Sequence, residues 1–324
     1  MKKYLYNRIT RSIVFIHASS VYGALTWLPA GLLAQSLWLQ LLLTIAANSL
    51  LIEMCIYFKL LRLNNWVVTA IFMLLTTCCG FTYGSLEAGI SSATIALVTF
   101  MLFLTYKSPN DVGHTYFAYL AIGATSLFFI PILYITPLLW LLSLYQLQSL
   151  NWRTWFASIL GLLTPYWFVL PWFLYQRIQD DMSIQFPLFS LDELPTNGDA
   201  TLMPMQIVVF AVIALPTIIG ALNFWQQSYN ESIQTRLFFN FLQWQGLAIA
   251  LIIILQPQYY NTLIRMMIFC ASPFIAHFFA LTRSKIVNYI FFVTLAIYIV
   301  LSIVTTHKPI LDGANEAILQ LWNG

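Results

Sequence analysis

The chain has 324 residues, of which 60% are hydrophobic and only 8% charged, with a formal net charge of +3. This leaves no room for a soluble domain of useful size and no basic patch for nucleic acid. The charges sit in small clusters between long apolar runs, and because each charged residue costs roughly 2.5–3.5 kcal/mol at the centre of an inserting helix, that spacing is the pattern of a polytopic membrane protein.

In chain order, a window of about 20 residues finds eleven apolar segments, with cores near 12–33, 37–58, 66–84, 88–106, 115–133, 136–149, 154–175, 205–224, 237–256, 264–281 and 287–305. The expected fold is an all-α transmembrane helix bundle of about eleven spans, one integral membrane domain over residues 1–324. Pro131 and Pro137 bracket a very short connection, and the segment after it is shorter than a full span. A re-entrant hairpin is therefore the alternative to two spans at 115–149. A basic stretch precedes the first segment, but no small-x-small cleavage site follows it, so an uncleaved first helix is expected.

Orientation follows from the cations. With the N-terminus inside, Lys2, Lys3, Arg8, Arg11, Lys59, Arg62, Lys107, Arg153, Arg236, Arg283 and Lys285 face the cytoplasm, and only Arg177, Arg265 and Lys308 lie outside. The C-terminus then faces outward. The longest off-membrane stretch, loop 176–204, falls outside and is acidic, with Asp180, Asp181, Asp192, Glu193 and Asp199 around an apolar FPLF run. It suits a surface-lying or cavity-capping element. A second interfacial helix is expected at 309–324, where Ala317, Ile318, Leu321 and Trp322 share a face.

No metal set is present in the sequence. Cys55, Cys78, Cys79 and Cys270 lie inside apolar segments without CxxC or Cys/His spacing, and His17, His114, His277 and His307 are dispersed. Of the polar residues, Glu53 is the acidic side chain well within a span, in a row with Ser49 and Tyr57. An intramembrane carboxyl is a functional candidate, set against a snorkelling or pairing role near Lys59 and Arg62. Asn48 shares another row with Gln40 and Thr44, a pattern that also serves as helix–helix glue.

The outer rim is richer. Segment 66–84 ends in Thr76, Thr77, Gly80, Thr82, Tyr83 and Gly84, and the next begins with Glu87, Ser91, Ser92 and Thr94. Two polar outer halves point to a water-filled cavity open to the outside. The connection QPQYYNTLIR, containing Tyr260, delivers Arg265 to the same side. An arginine there offers a planar, permanently charged fork suited to phosphate; the plainer reading pairs it with a loop acid or a lipid headgroup.

The runs NWRTWFASILGLLTPYWFVLPWF (151–173) and RMMIFCASPFIAHFFALTRSKIVNYIFFVTLAIYIV (265–300) resemble an uncharacterised family of bacterial inner-membrane proteins known as a domain of unknown function. More distantly, the many-helix plan with an outward arginine and one sizeable outer loop resembles polymerases of polyprenyl-linked sugars and the C superfamily of glycosyltransferases. That superfamily carries acidic residues in its first outward loop; here the loop near 31–36 has no charge.

The resemblance implies an inner-membrane enzyme of envelope biogenesis acting on a polyprenyl-phosphate-linked glycan. On that reading Arg265, Arg177 and Tyr260 contact the ligand and Glu87, Asp180 or Asp181 serves as base; the uncharged first outward loop departs from the superfamily's metal-assisted mechanism, and no cofactor or metal is expected. Two other readings stand beside it. One is a lipid or small-solute transporter lined by Glu53, Asn48 and the 115–149 region; the other is a non-catalytic subunit that meets membrane lipids and protein partners through its polar rows.

Overall fold

The computed structural model describes residues 12–33, 36–61, 66–179, 202–282 and 285–307, with Asp312 and Ile318; for residues 13 and 172–179 it describes the backbone alone. All secondary structure among the described residues is helical. Each of the eleven apolar segments holds one α-helix: α1 Ile13–Thr26, α2 Trp38–Tyr57, α3 Trp66–Thr77, α4 Leu86–Leu104, α5 Val112–Ser126, α6 Thr136–Tyr145, α7 Trp152–Gln179, α8 Pro204–Gln227, α9 Ile233–Leu255, α10 Tyr260–Leu281 and α11 Lys285–Thr306. Seven helices, α2, α4 and α7 to α11, are long and apolar enough to cross a membrane. The others are shorter. At 1.5 Å per residue, α5 and α6, with 15 and 10 residues, fall short of a ~30 Å hydrocarbon core.

Local chemistry sets the ends. Ser85 caps α4 by accepting from the Ala88 N–H, and Glu87 sits in the first turn, where the helix dipole favours an acid. Asp111 caps α5 and Ser232 caps α9 in the same way. Pro204 opens α8 at a position that needs no N–H. Segment 66–84 stops being α-helical at Thr77: the hydroxyls of Thr76 and Thr77 donate back to the Phe72 and Leu74 carbonyls, and a 3-10 turn follows at Gly80–Thr82. Gly80 is required there, because a Cβ would lie 2.9 Å from the Thr306 backbone nitrogen.

Helix α10 is the axis of the molecule. It is surrounded by α3, α4, α8 and α9, and its whole apolar window is buried. On one side α2 packs against α4 and α1 against α3; on the other, α8 and α9 each lie along α10. The peripheral pair α5 and α7 is the most intimate contact in the fold. Their backbones meet at Gly123, whose Cβ would come within 2.5 Å of the Leu162 carbonyl oxygen, and at Gly161, whose Cβ would come as close to that of Tyr116. Small residues permit this approach.

Candidate functional site

The site is built around Arg265, which α10 carries about one and a half turns, ~7.5 Å, in from Tyr260. Its side chain is 1% exposed. Nη2 donates to the Thr44 hydroxyl on α2, and that hydroxyl donates in turn to the Gln40 carbonyl at 2.9 Å. Nη1 has no hydrogen-bond partner. Tyr83 and Cys79 are its electrostatic neighbours, and among the described residues no carboxylate pairs with it; the ion pair found there is His114 with Asp111.

The magnitudes decide what this arrangement means. Burying an ion costs several kcal/mol even after relaxation. One hydrogen bond from a charged donor returns about 1.5–3 kcal/mol. Thr44 therefore does not balance the guanidinium, and Nη1 is left buried without an acceptor.

Other polar groups lie at a similar level. A Cβ on Gly89 would sit 3.2 Å from the Leu43 side chain, which places Ser92, three residues on and on the same face of α4, beside the Thr44 to Ala47 turn of α2, with Ser91 at that depth on another face. Both serine hydroxyls are buried without a partner, as is Oδ1 of Asn48, one turn beyond Thr44 on the same face. Above this layer the Tyr83 ring stacks on Trp27 at 4.0 Å with the planes 3° apart, and its hydroxyl is 3.0 Å from that of Thr26. Trp27, Leu32, Leu37 and Tyr83 form a small apolar cluster at this end of the bundle.

The residues expected to line a water-filled cavity open to the outside are instead packed inside the bundle. Thr76, Thr77, Thr82, Ser91, Ser92 and Thr94 are all buried. Thr82 donates to its own turn, and Thr94 meets Thr125 at 2.6 Å.

The chain matches no protein-family model, no curated protein and no solved structure. Its residues alone must carry the functional reading.

The structure separates the residues singled out from sequence. Tyr260 is buried, but its hydroxyl donates to the Gln206 carbonyl at 2.7 Å and its ring stacks on Phe81, so it clips α8 to α10. Glu87 is exposed, on the rim of a crevice of about 360 Å3 with Ser85, Leu86, Ile90 and Phe128; it does not join Arg265. Asp180 and Asp181 lie outside the described residues, as does the side chain of Arg177, whose backbone is in α7. So do most of the loop 176–204 and the segment 309–324, apart from Asp312 and Ile318.

Glu53 is exposed on α2 and makes no ion pair with Lys59. Glu53→Gln is expected to leave the unfolding midpoint of the detergent-purified protein unchanged within about 0.5 kcal/mol, as for surface changes in general. A large drop in midpoint would place that carboxyl in a buried role.

Thr44, Ser91 and Ser92 are the residues that sequence reasoning noted without assigning to Arg265. The row Gln40, Thr44, Asn48 was the available signal, and Thr44 is indeed where α2 reaches α10.

Proposed function

We propose that this is an inner-membrane protein of cell-envelope biogenesis that holds the phosphate of a polyprenyl-linked glycan at Arg265, in the outer half of the membrane. The observation that carries the reading is the guanidinium buried, among the described residues, without a carboxylate and with Nη1 unpartnered. A phosphate supplies both the counter-charge and paired acceptors that a planar fork requires. The orientation behind "outer" rests on the distribution of lysine and arginine, with the N-terminus inside.

On this reading Thr44 orients the fork, Ser91 and Ser92 offer hydroxyls at the same depth, and the Trp27–Tyr83 stack covers the site from the outer end. Transfer or polymerisation of the glycan would need a base. Glu87 at the rim and the acids of the 176–204 loop are the candidates, with Asp312 and Glu316 of the C-terminal segment on the same side.

A transport reading draws support from Asn48, buried with a free Oδ1 one turn deeper than Thr44, as a second polar step below the arginine. The exposed Glu53 adds nothing to such a path.

The test is binding of undecaprenyl phosphate to the protein in nanodiscs. Loss of a hydrogen-bonded charge is worth about 1.5–3 kcal/mol, so Arg265→Ala is expected to weaken binding by roughly ten- to a hundredfold. Arg265→Lys, which keeps the charge and loses the fork, should fall between. Equal binding by wild type and Arg265→Ala would remove the proposal. Wild-type binding by Arg265→Lys would reduce Arg265 to a point charge.

A further inference from the structure

On the face of α10 opposite Arg265, the helices α8 and α9 both lie along α10 without packing along each other. They converge at one end, where a short turn joins them, the Phe224 and Phe239 rings stack at 4.2 Å, and Trp225 Nε1 donates to Gln243 Oε1 at 3.0 Å. Away from that clasp they leave a trough. Its floor is Met267, Cys270, Ala271 and Phe274 of α10, and its walls run from Phe210 to Trp225 on α8 and from Leu242 to Ala250 on α9.

From these features we infer that the trough is a binding site for one hydrocarbon chain of a membrane phospholipid, laid along α10. Four observations carry it. The lining is apolar almost throughout, and small residues at Ala214, Ala221, Gly246, Ala250 and Ala271 hollow it out. The walls belong to helices long and apolar enough to cross a membrane, and the lips, Ile218, Leu222 and Leu247, are about half exposed, so the opening faces lipid.

Length is the third. The stretch enclosed by both walls and the floor, Leu242–Ala250 and Met267–Phe274, rises about 10–12 Å, most of one leaflet's half of a ~30 Å hydrocarbon core. Width is the fourth. A volume of about 320 Å3 over that length is about 6 Å across, narrower than a helix with its side chains, about 10–12 Å. It suits a single hydrocarbon chain, and a helix of a second copy would bridge its lips without filling it.

The clasp at Trp225 and Gln243 stops the chain at one end. At the other, Gln206 and Asn261 are hydrogen-bonded side chain to side chain at 3.3 Å and exposed, which gives the headgroup polar company. A chain in the trough meets protein on three sides and gains dispersion contacts that bulk lipid does not provide. The inference rests on the membrane placement of these helices and is independent of Arg265, from which α10 separates the trough.

The experiment uses the full-length protein in phosphatidylethanolamine nanodiscs doped with a phosphatidylethanolamine bearing a diazirine along its acyl chain, with cross-linked residues mapped by mass spectrometry. Labelling is expected to concentrate on Ile218, Leu222 and Leu247, roughly tenfold above the exposed Val293 and Val300 of α11. Ala214→Phe and Ala250→Phe, each filling the trough from a wall, should remove that excess while leaving the unfolding midpoint and undecaprenyl phosphate binding at wild-type values. Equal labelling of the trough and α11 would overturn the inference. So would an excess that survives both substitutions, or cross-links from the trough to a second protein chain.

Discussion

Arg265→Met is expected to make the ligand-free protein more stable than wild type and to abolish its response to undecaprenyl phosphate. Methionine fills an unbranched, flexible volume close to that of the arginine stem and carries no charge into the 1%-exposed position. Replacing buried ions with apolar residues of similar volume is often stabilising by about 1–4 kcal/mol. Thr44 loses little, because its hydroxyl still donates to the Gln40 carbonyl.

The two arms separate by mass action. A ligand at a hundred times its dissociation constant adds about 2.7 kcal/mol to a protein that binds it only when folded. Wild type should therefore show a rise in unfolding midpoint with added lipid phosphate, and Arg265→Met should start higher and stay flat. A lower midpoint for Arg265→Met in the absence of lipid would mean that the guanidinium holds α2 and α10 together as a structural tie, and the phosphate proposal would lose its physical basis.

The sequence and the structure agree best where composition alone decides. A span of apolar residues between charge clusters has one low-energy solution in a membrane, a helix, and each of the eleven segments contains one. The ends were less legible. Segment 12–33 is helical only to Thr26, since the following residues turn back to place Trp27 on Tyr83, a contact made 56 residues away. Segment 66–84 ends early because Gly80 must pass the Thr306 backbone on α11. Such long-range contacts leave no local trace.

The candidate site divides in the same way. Arg265 stood out because it lies apart from the chain's other cation clusters, yet its depth and its bond to Thr44 depend on how α2 meets α10. Tyr260 looked like a ligand contact and instead spends its hydroxyl on the Gln206 carbonyl. The trough had no signal at all: its walls, floor and outer lips are apolar alike, so hydropathy does not distinguish a face that packs from one that is left open.

The crossing of α5 and α7 should be the part of the fold least tolerant of change, with Gly161→Ala and Gly123→Ala each lowering the unfolding midpoint sharply. The Cβ added at Gly161 would lie 2.5 Å from the Tyr116 carbonyl oxygen and 3.0 Å from the Leu120 nitrogen. The Cβ added at Gly123 would meet the Leu162 backbone oxygen at 2.5 Å. These neighbours are backbone, so the helices must move apart, and overpacking of this kind costs about 1–3 kcal/mol. Separation would also stretch the bonds between the helices, the Tyr116 hydroxyl to that of Thr164 at 3.0 Å and Ser126 to Tyr166. Once one substitution has spread the pair, the second adds little, so the double variant should lose less than the two singles together. Gly113→Ala supplies the contrast on the same helix: nothing lies within 4 Å of its Cβ position, and alanine gains about 0.8–1.0 kcal/mol of helix propensity over glycine. It should be neutral or stabilising. If Gly161→Ala behaves like Gly113→Ala in detergent thermal unfolding, α5 and α7 do not cross at the distance described, and the side of the bundle they form must be redrawn.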